Sequence, residues 1–144
     1  WSIADVTQML NRDSGLLGLS ELSNDMRTLT EAAAGGHRQA RQAIDVFCFR
    51  LARQIGGLAA SLGRLDALIF TGGIGENAAD IRANVLQRLG VFGFELDDVL
   101  NKAHGDNRGQ ISASKGPVAA VIPTREEWMI AQDTLRLITK TPIN

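Results

Sequence analysis

The stretch "FTGGIGEN", Phe70 to Asn77, places three glycines within four positions directly after the apolar run Ala67-Leu68-Ile69-Phe70. Glycine at the end of a strand costs stability, so the backbone there needs either unusual dihedrals or space for something close by. A helical stretch follows, and free amides at a helix start favour polar or anionic groups. The pattern reads as a ligand approaching the backbone. It is not a phosphate-binding P-loop, because no Lys-Ser or Lys-Thr follows. The spacing Gly73-x-Gly75-x-x-Ala78, with Glu95 about twenty residues on, also fits a dinucleotide fingerprint. A fragment of a dinucleotide-dependent oxidoreductase is therefore a rival reading.

A second candidate is "IPTREEW", Ile122 to Trp128. Thr124 and Glu127 have capping-box spacing, which gives Glu127 a structural role. Glu126 is then left over at the mouth of the sheet. It suits the helix dipole there, and it is also a carboxylate able to hold Mg²⁺ through water. In "SNDMR", Ser23 or Asp25 suits an N-cap and Arg27 an ordinary surface site. His37 and His104 lack any zinc-ligand spacing. Cys48 lies beside an apolar helix face and reads as core.

The elements that must position these residues follow from periodicity. Ser2 and Asp5 cap a short first helix. "SGLLGLSELSNDMR" has few charges and many turn formers and reads as a packed loop. A helix over "RTLTEAAA" stops at Gly35-Gly36. From His37 to Leu62, Ala40, Ile44, Phe47, Leu51, Ile55, Leu58 and Leu62 recur at helical steps, predicting a helix of roughly 40 Å. Gly56-Gly57 inside it marks a close partner or a kink. "DALIFTGG" reads as a buried strand and "ENAADIRANVLQRLG" as a helix facing inward with Ile81, Val85 and Leu89, closed by Gly90. "VFGFELDDVLNKAHGDNRG" reads as an extended piece and a short helix. "QISAS" and "VAAVIP" read as strands around Lys115-Gly116-Pro117. "TREEWMIAQDTLRLITK" is a final helix with Trp128, Ala131, Leu135 and Ile138 in line. The class is α/β: a helix-rich first half and a small, partly parallel sheet in the second.

The 144 residues suffice for one domain with a core, and a net charge of −1 shows no basic stripe for nucleic acid. No apolar run is long enough to span a bilayer. A single cysteine excludes an internal disulfide and fits a reducing compartment, so a cytoplasmic location is expected. The chain opens on Trp1 and shows no signal peptide, so it is expected to be a piece of something longer.

Three stretches, "SGLLGLSELSNDMR", "LIFTGGIGENAADIR" and "VIPTREEWMIAQDT", occur in the order in which they occur in acetate kinases. The chain resembles the C-terminal part of that family over nearly its whole length. The resemblance implies residues 1–144 as the C-terminal nucleotide-binding part of an actin-like domain, the fold of sugar kinases and heat-shock chaperone ATPases. It implies phosphoryl transfer between ATP and acetate, with ATP/ADP as substrate and Mg²⁺ as cofactor. It assigns Asp25, Met26, Arg27, Gly73, Ile74, Gly75, Glu76 and Asn77 to the adenine-nucleotide site and Glu126 to the metal. A side chain at Gly72 or Gly73 would then occupy nucleotide space. The family's N-terminal domain, catalytic residues, phosphate loops and acetate pocket have no counterpart here, so no catalytic residue is assigned and the chain alone is expected to be inactive. A homodimer is implied. A non-catalytic dimerisation module, pairing through an exposed apolar helix face, is the other alternative.

Overall fold

A computed structural model of the chain describes residues 1–113 and 115–140. Helix α1 (Ile3–Gln8) starts at the expected reciprocal cap. The Asp5 amide donates to Ser2 Oγ at 3.2 Å, and the Ser2 amide donates to the Asp5 carboxylate at 2.8 Å. A π-helical turn over Met9–Asp13 follows. The stretch expected as a packed loop is helical in its middle, as α2 (Gly15–Ser20). Of its three leucines Leu16 and Leu17 are half-buried and Leu19 is exposed, and α2 packs on the long helix described next. Tertiary burial has overridden the weak helix propensity of Gly and Ser there. α3 (Met26–Ala34) is capped by Asp25 and ends at Gly35 as expected.

Helix α4 (Arg38–Leu62) is the predicted long helix, opened by His37, whose Nδ1 accepts from the Ala40 amide. Its fully buried positions are small: Ala40, Ala43, Cys48, Ala52 and Ala59. Ile44, Phe47, Leu51 and Ile55 pack at the margin of the core, while Leu58 and Leu62 are exposed, against expectation. The inward line is thus a narrow seam of alanines, which lets neighbouring elements approach the α4 backbone. Gly56 belongs to that approach: a Cβ there would sit 3.7 Å from the Phe92 ring.

Strand β1 (Ala67–Phe70) pairs in parallel with β2 (Val118–Val121), in the register Ala67↔Val118 through Phe70↔Val121. A parallel pair needs a long crossover. Here it contains α5 (Gly72–Asn77), α6 (Ala79–Arg88), a 3₁₀ turn over Gly90–Phe92 and α7 (Asp98–Lys102). β1 is less buried than predicted. Only Phe70 is inside, and Ile69 is 45% exposed, because one face of the sheet is covered. Of "QISAS", Gln110 and Ser112 form single antiparallel bridges, to Ala120 and Leu96, in place of a strand, and Ser114 lies outside the described residues. Gly90 does not close α6 in the left-handed conformation; Gly93, with φ of 84°, takes that conformation after the 3₁₀ turn.

Ile81, Val85 and Leu86 of α6, with Leu89 just beyond its end, meet Cys48 and Ala52 of α4, Phe70 of β1, and Ala119 and Val121 of β2 in one core. The last helix, α8 (Glu126–Lys140), exposes every side chain described from Glu126 to Thr139, including the expected line Trp128, Ala131, Leu135 and Ile138. The fold is therefore α/β: helices up to Leu62, then a parallel sheet that among the described residues has two strands.

Candidate functional site

The glycine run is not a loop leading into one helix. It is itself a short helix, α5, set off from α6 by the non-helical Ala78 (φ −108°, ψ 80°). Each glycine has its own reason. Gly72 has φ of +71°, a left-handed conformation that disfavours side chains. Gly73 has no such φ, and a Cβ added there meets nothing within 4 Å. Gly75 lies against the strand it follows: its Cβ would be 3.1 Å from the Phe70 carbonyl carbon. One glycine serves the backbone turn, one leaves open space and one allows close packing.

The open side of this turn faces the start of α3. Asn24, Asp25, Met26, Arg27 and Thr30 line a cavity of about 710 Å³ together with Gly73, Ile74, Asn77 and Ala78. Segments nearly fifty residues apart in sequence thus form its two walls. Met26 is buried at its base, 7% exposed, while Arg27 and Ile74 are exposed. The Asn77 side-chain amide is fixed by donating to the Gly73 carbonyl at 2.9 Å. Asp25 Oδ1 accepts from the Thr28 amide at 2.9 Å, and this bond holds its carboxyl below the usual carboxylate range.

Six of the eight residues assigned to a nucleotide from sequence line that cavity; Gly75 and Glu76 do not. Glu76 turns back instead. Its Oε1 accepts from the Gly72 amide (2.9 Å), the Thr124 amide (2.8 Å) and the Thr124 hydroxyl (3.1 Å). The Thr124 bond first, then that from Gly72, holds the Glu76 carboxyl below its ordinary range. The anion position at the start of α5 is therefore filled by the chain's own carboxylate, and the Gly72 amide is not free for a ligand. Glu76 latches the turn after β1 to the segment after β2.

The same bonds correct the predicted capping box. Thr124 is committed to Glu76, and among the described residues Glu127 makes no hydrogen bond to it. Glu126 is exposed at the first turn of α8, two residues beyond the latch and outside the cavity. His37 caps α4, His104 sits at φ of 64°, and no metal-binding group of three His, Cys, Asp or Glu side chains occurs among the described residues. Cys48 is buried as expected, and desolvation pushes its thiol up to about 11.

Two residues of this region were not singled out from sequence. Arg82 of α6 and Asn101 of α7 are buried, and Arg82 reaches under α5 to its Gly75 and Glu76 carbonyls. A signal for Arg82 was present: a cation near a helix N-terminus opposes the dipole, and this one directly follows the inward-facing Ile81.

The family model of the acetokinase family matches residues 1–132. The acetate kinase of Shewanella woodyi is 50% identical over 139 residues, which are 96% of this chain and 35% of that protein. The acetate kinase of Deinococcus radiodurans is 53% identical over 139 residues, again 35% of its length. Among solved structures, a propionate kinase from Francisella tularensis superposes with a TM-score of 0.82 at 42% identity, over 92% of this chain and 34% of that one. Porphyromonas gingivalis acetate kinase gives 0.83 at 32% identity, over 96% and 35%. The chain therefore spans about a third of the length of the relatives it matches. The oxidoreductase alternative falls here: its fingerprint spacing lies in α5 and Ala78, and a 3₁₀ turn stands where its second strand should run. The α/β fold is the actin-like fold of these acetate and propionate kinases, and the chain belongs to the acetokinase family.

Proposed function

We propose that this chain forms the adenosine side of the nucleotide cleft of an acetate kinase, which moves a phosphoryl group between ATP and acetate. The observation that carries the proposal is the cavity between the start of α3 and the glycine turn. Its size suits a small-molecule site, and its lining mixes apolar surface with a few polar groups. Met26 and Ile74 offer apolar surface to a base. Asn77 offers an oriented amide, and Arg27 forms no salt bridge among the described residues and is open to an anionic group. Gly73 leaves room for the nucleotide. Gly75 and Glu76 contribute by shaping the turn.

For Mg²⁺ the fit rests on one donor. Glu126 is an exposed hard-oxygen ligand, and Mg²⁺ sites commonly use one or two carboxylates with phosphate oxygens and water. Bound there, the ion would neutralise phosphate charge. The latch from Glu76 to Thr124 keeps Glu126 on a short tether to the glycine turn. Acetate is taken as the acceptor because the curated relatives carry that name. No residue of this chain is assigned to it. Phosphoryl transfer depends on positioning and charge from several sides of the cleft, so the chain by itself is inactive. Its setting is cytoplasmic, and it pairs as a homodimer; the apolar side chains exposed on α8 support pairing, which light scattering tests.

Calorimetry with ADP tests the cleft. The chain binds ADP weakly, and Gly73→Val abolishes binding without unfolding the protein. Unchanged affinity in folded Gly73→Val protein would overturn the reading, as would robust acetyl phosphate formation by the chain alone with ATP, acetate and Mg²⁺.

A further inference from the structure

Arg82 is completely buried, and no carboxylate is paired with it among the described residues. Its guanidinium is met by carbonyl oxygens instead. Nη1 donates to the Gly75 carbonyl at 2.9 Å and to the Glu76 carbonyl at 2.7 Å. Nε donates to Asn101 Oδ1 at 2.8 Å, and Nη2 donates to the Asn101 carbonyl at 2.6 Å. Asn101 in turn donates from Nδ2 to the Ala79 carbonyl at 2.9 Å. Burial lowers the guanidinium's hold on its proton, but an arginine stays charged in proteins.

A buried cation without an anion is an expensive choice for the core, and the two helices that flank α6, α5 and α7, supply the acceptors that satisfy it. The Gly75 and Glu76 carbonyls end α5, where the helix leaves carbonyls unsatisfied and partly negative. The chain then breaks at Ala78 and enters α6, which carries Arg82. The rigid guanidinium fork thus folds the turn back on its own successor, and Asn101 of α7 fixes the fork. Arg82 does not line the cavity, so it acts from behind the wall formed by Gly73, Ile74 and Asn77. Glu76 holds the front of the same turn through the Gly72 amide.

We infer that Arg82, oriented by Asn101, is a positioning residue that holds the glycine turn in its open, ligand-accepting shape before any nucleotide arrives. The inference rests on the proposed nucleotide cleft for its purpose, but its structural content can be read in the unliganded chain. Preorganisation of this kind raises affinity by removing the ordering cost from the binding step.

The test compares Asn101→Ala, Asn101→Asp and Arg82→Lys with the unaltered chain. Amide hydrogen exchange is followed over residues 72–78 and, as an internal reference, over α4; ADP affinity is measured by calorimetry. Asn101→Ala leaves the fork unoriented, so the turn amides should exchange at least about tenfold faster while α4 stays protected, and ADP affinity should drop at least about fivefold. Asn101→Asp retains an acceptor for Nε and should restore most of the turn's protection. Arg82→Lys, with a point charge in place of the fork, should resemble Asn101→Ala; if it fails to fold, the Asn101 pair decides. Unchanged turn exchange in folded Asn101→Ala would overturn the inference. So would α4 losing protection in step with the turn, since that is a merely global loss. If the turn loosens as expected but the unaltered chain takes up no ADP, the positioning role stands and the nucleotide reading falls.

Discussion

Replacing each glycine of the turn by alanine should change stability with a different sign or cause at each position. At Gly75 the new Cβ would stand 3.1 Å from the Phe70 carbonyl carbon and 3.4 Å from its Cα. Both are backbone atoms at the end of a paired strand, so they yield only by bending β1 away from α5. Overpacking of this kind costs about 1–3 kcal/mol. At Gly72 the cost is conformational: a φ of +71° asks the alanine for a left-handed backbone, about 1–2 kcal/mol. At Gly73 neither cost applies, and alanine gains about 0.5–1 kcal/mol over glycine inside a helix. For a domain of this size each kcal/mol moves the melting temperature by roughly 3–4 °C. Gly73→Ala should therefore melt about 2–4 °C higher, and Gly75→Ala, where the same helix gain offsets part of the overpacking, roughly 1–9 °C lower. Thermal melting by circular dichroism, repeated with urea to check that the slope is unchanged, separates the three. Gly73→Ala destabilising the protein as much as Gly75→Ala would refute the assignment of separate roles, because the void beside Gly73 would then not exist.

Cys48 gives a pH signature. Its thiol is raised from 9.0 to about 11 in the folded chain, so the contribution to stability is complete below about pH 9 and disappears as pH rises through 11. Two pKa units correspond to at most about 3 kcal/mol, and Cys48→Ala should flatten the alkaline limb of a stability–pH curve. Glu76 acts at the other end of the scale: its depressed pKa gives stability that is present above its ordinary value and lost as pH falls through the folded one. Urea melts of Glu76→Gln should accordingly show a shallower acid limb, and an unaltered limb would argue that the Thr124 latch is not formed in solution. Because Thr124 is bonded to Glu76, Glu127→Ala should leave the melting temperature unchanged, whereas a clear drop would restore the capping box.

Much of this site was readable from local rules. The Ser2–Asp5 cap, the α4 boundaries and the inward face of α6 follow from side-chain chemistry and helical period, which act over a few residues. The glycines announced a constrained turn, but not that Gly72 carries the left-handed φ while Gly73 faces open space. That division depends on where Phe70 lies, and only packing sets it. The Thr124–Glu127 spacing failed for a similar reason. A carboxylate 48 residues away competes for the same hydroxyl and amide, and no local pattern encodes that contact. The α2 stretch hid its helix behind glycines and serines, whose propensity is outweighed by burying Leu16. Asn101 sits in an unremarkable polar helix, and its role exists only because Arg82 points at it.

The parallel pairing of β1 with β2 has a consequence for the chain as it is made. Ala67 must wait for Val118, about fifty residues later, before the sheet can close. At a synthesis rate of roughly 5–20 residues per second, the partner leaves the ribosome about 3–10 s after β1 does. During that interval Leu68, Ile69 and Phe70 form a nascent strand with an unsatisfied edge, far longer than the microseconds in which α4 can form beside it. The helices of the first half are thus available as a temporary cover for β1 while it waits. Slowing translation between Phe70 and Val118 lengthens the period in which aggregation of the nascent chain competes with folding.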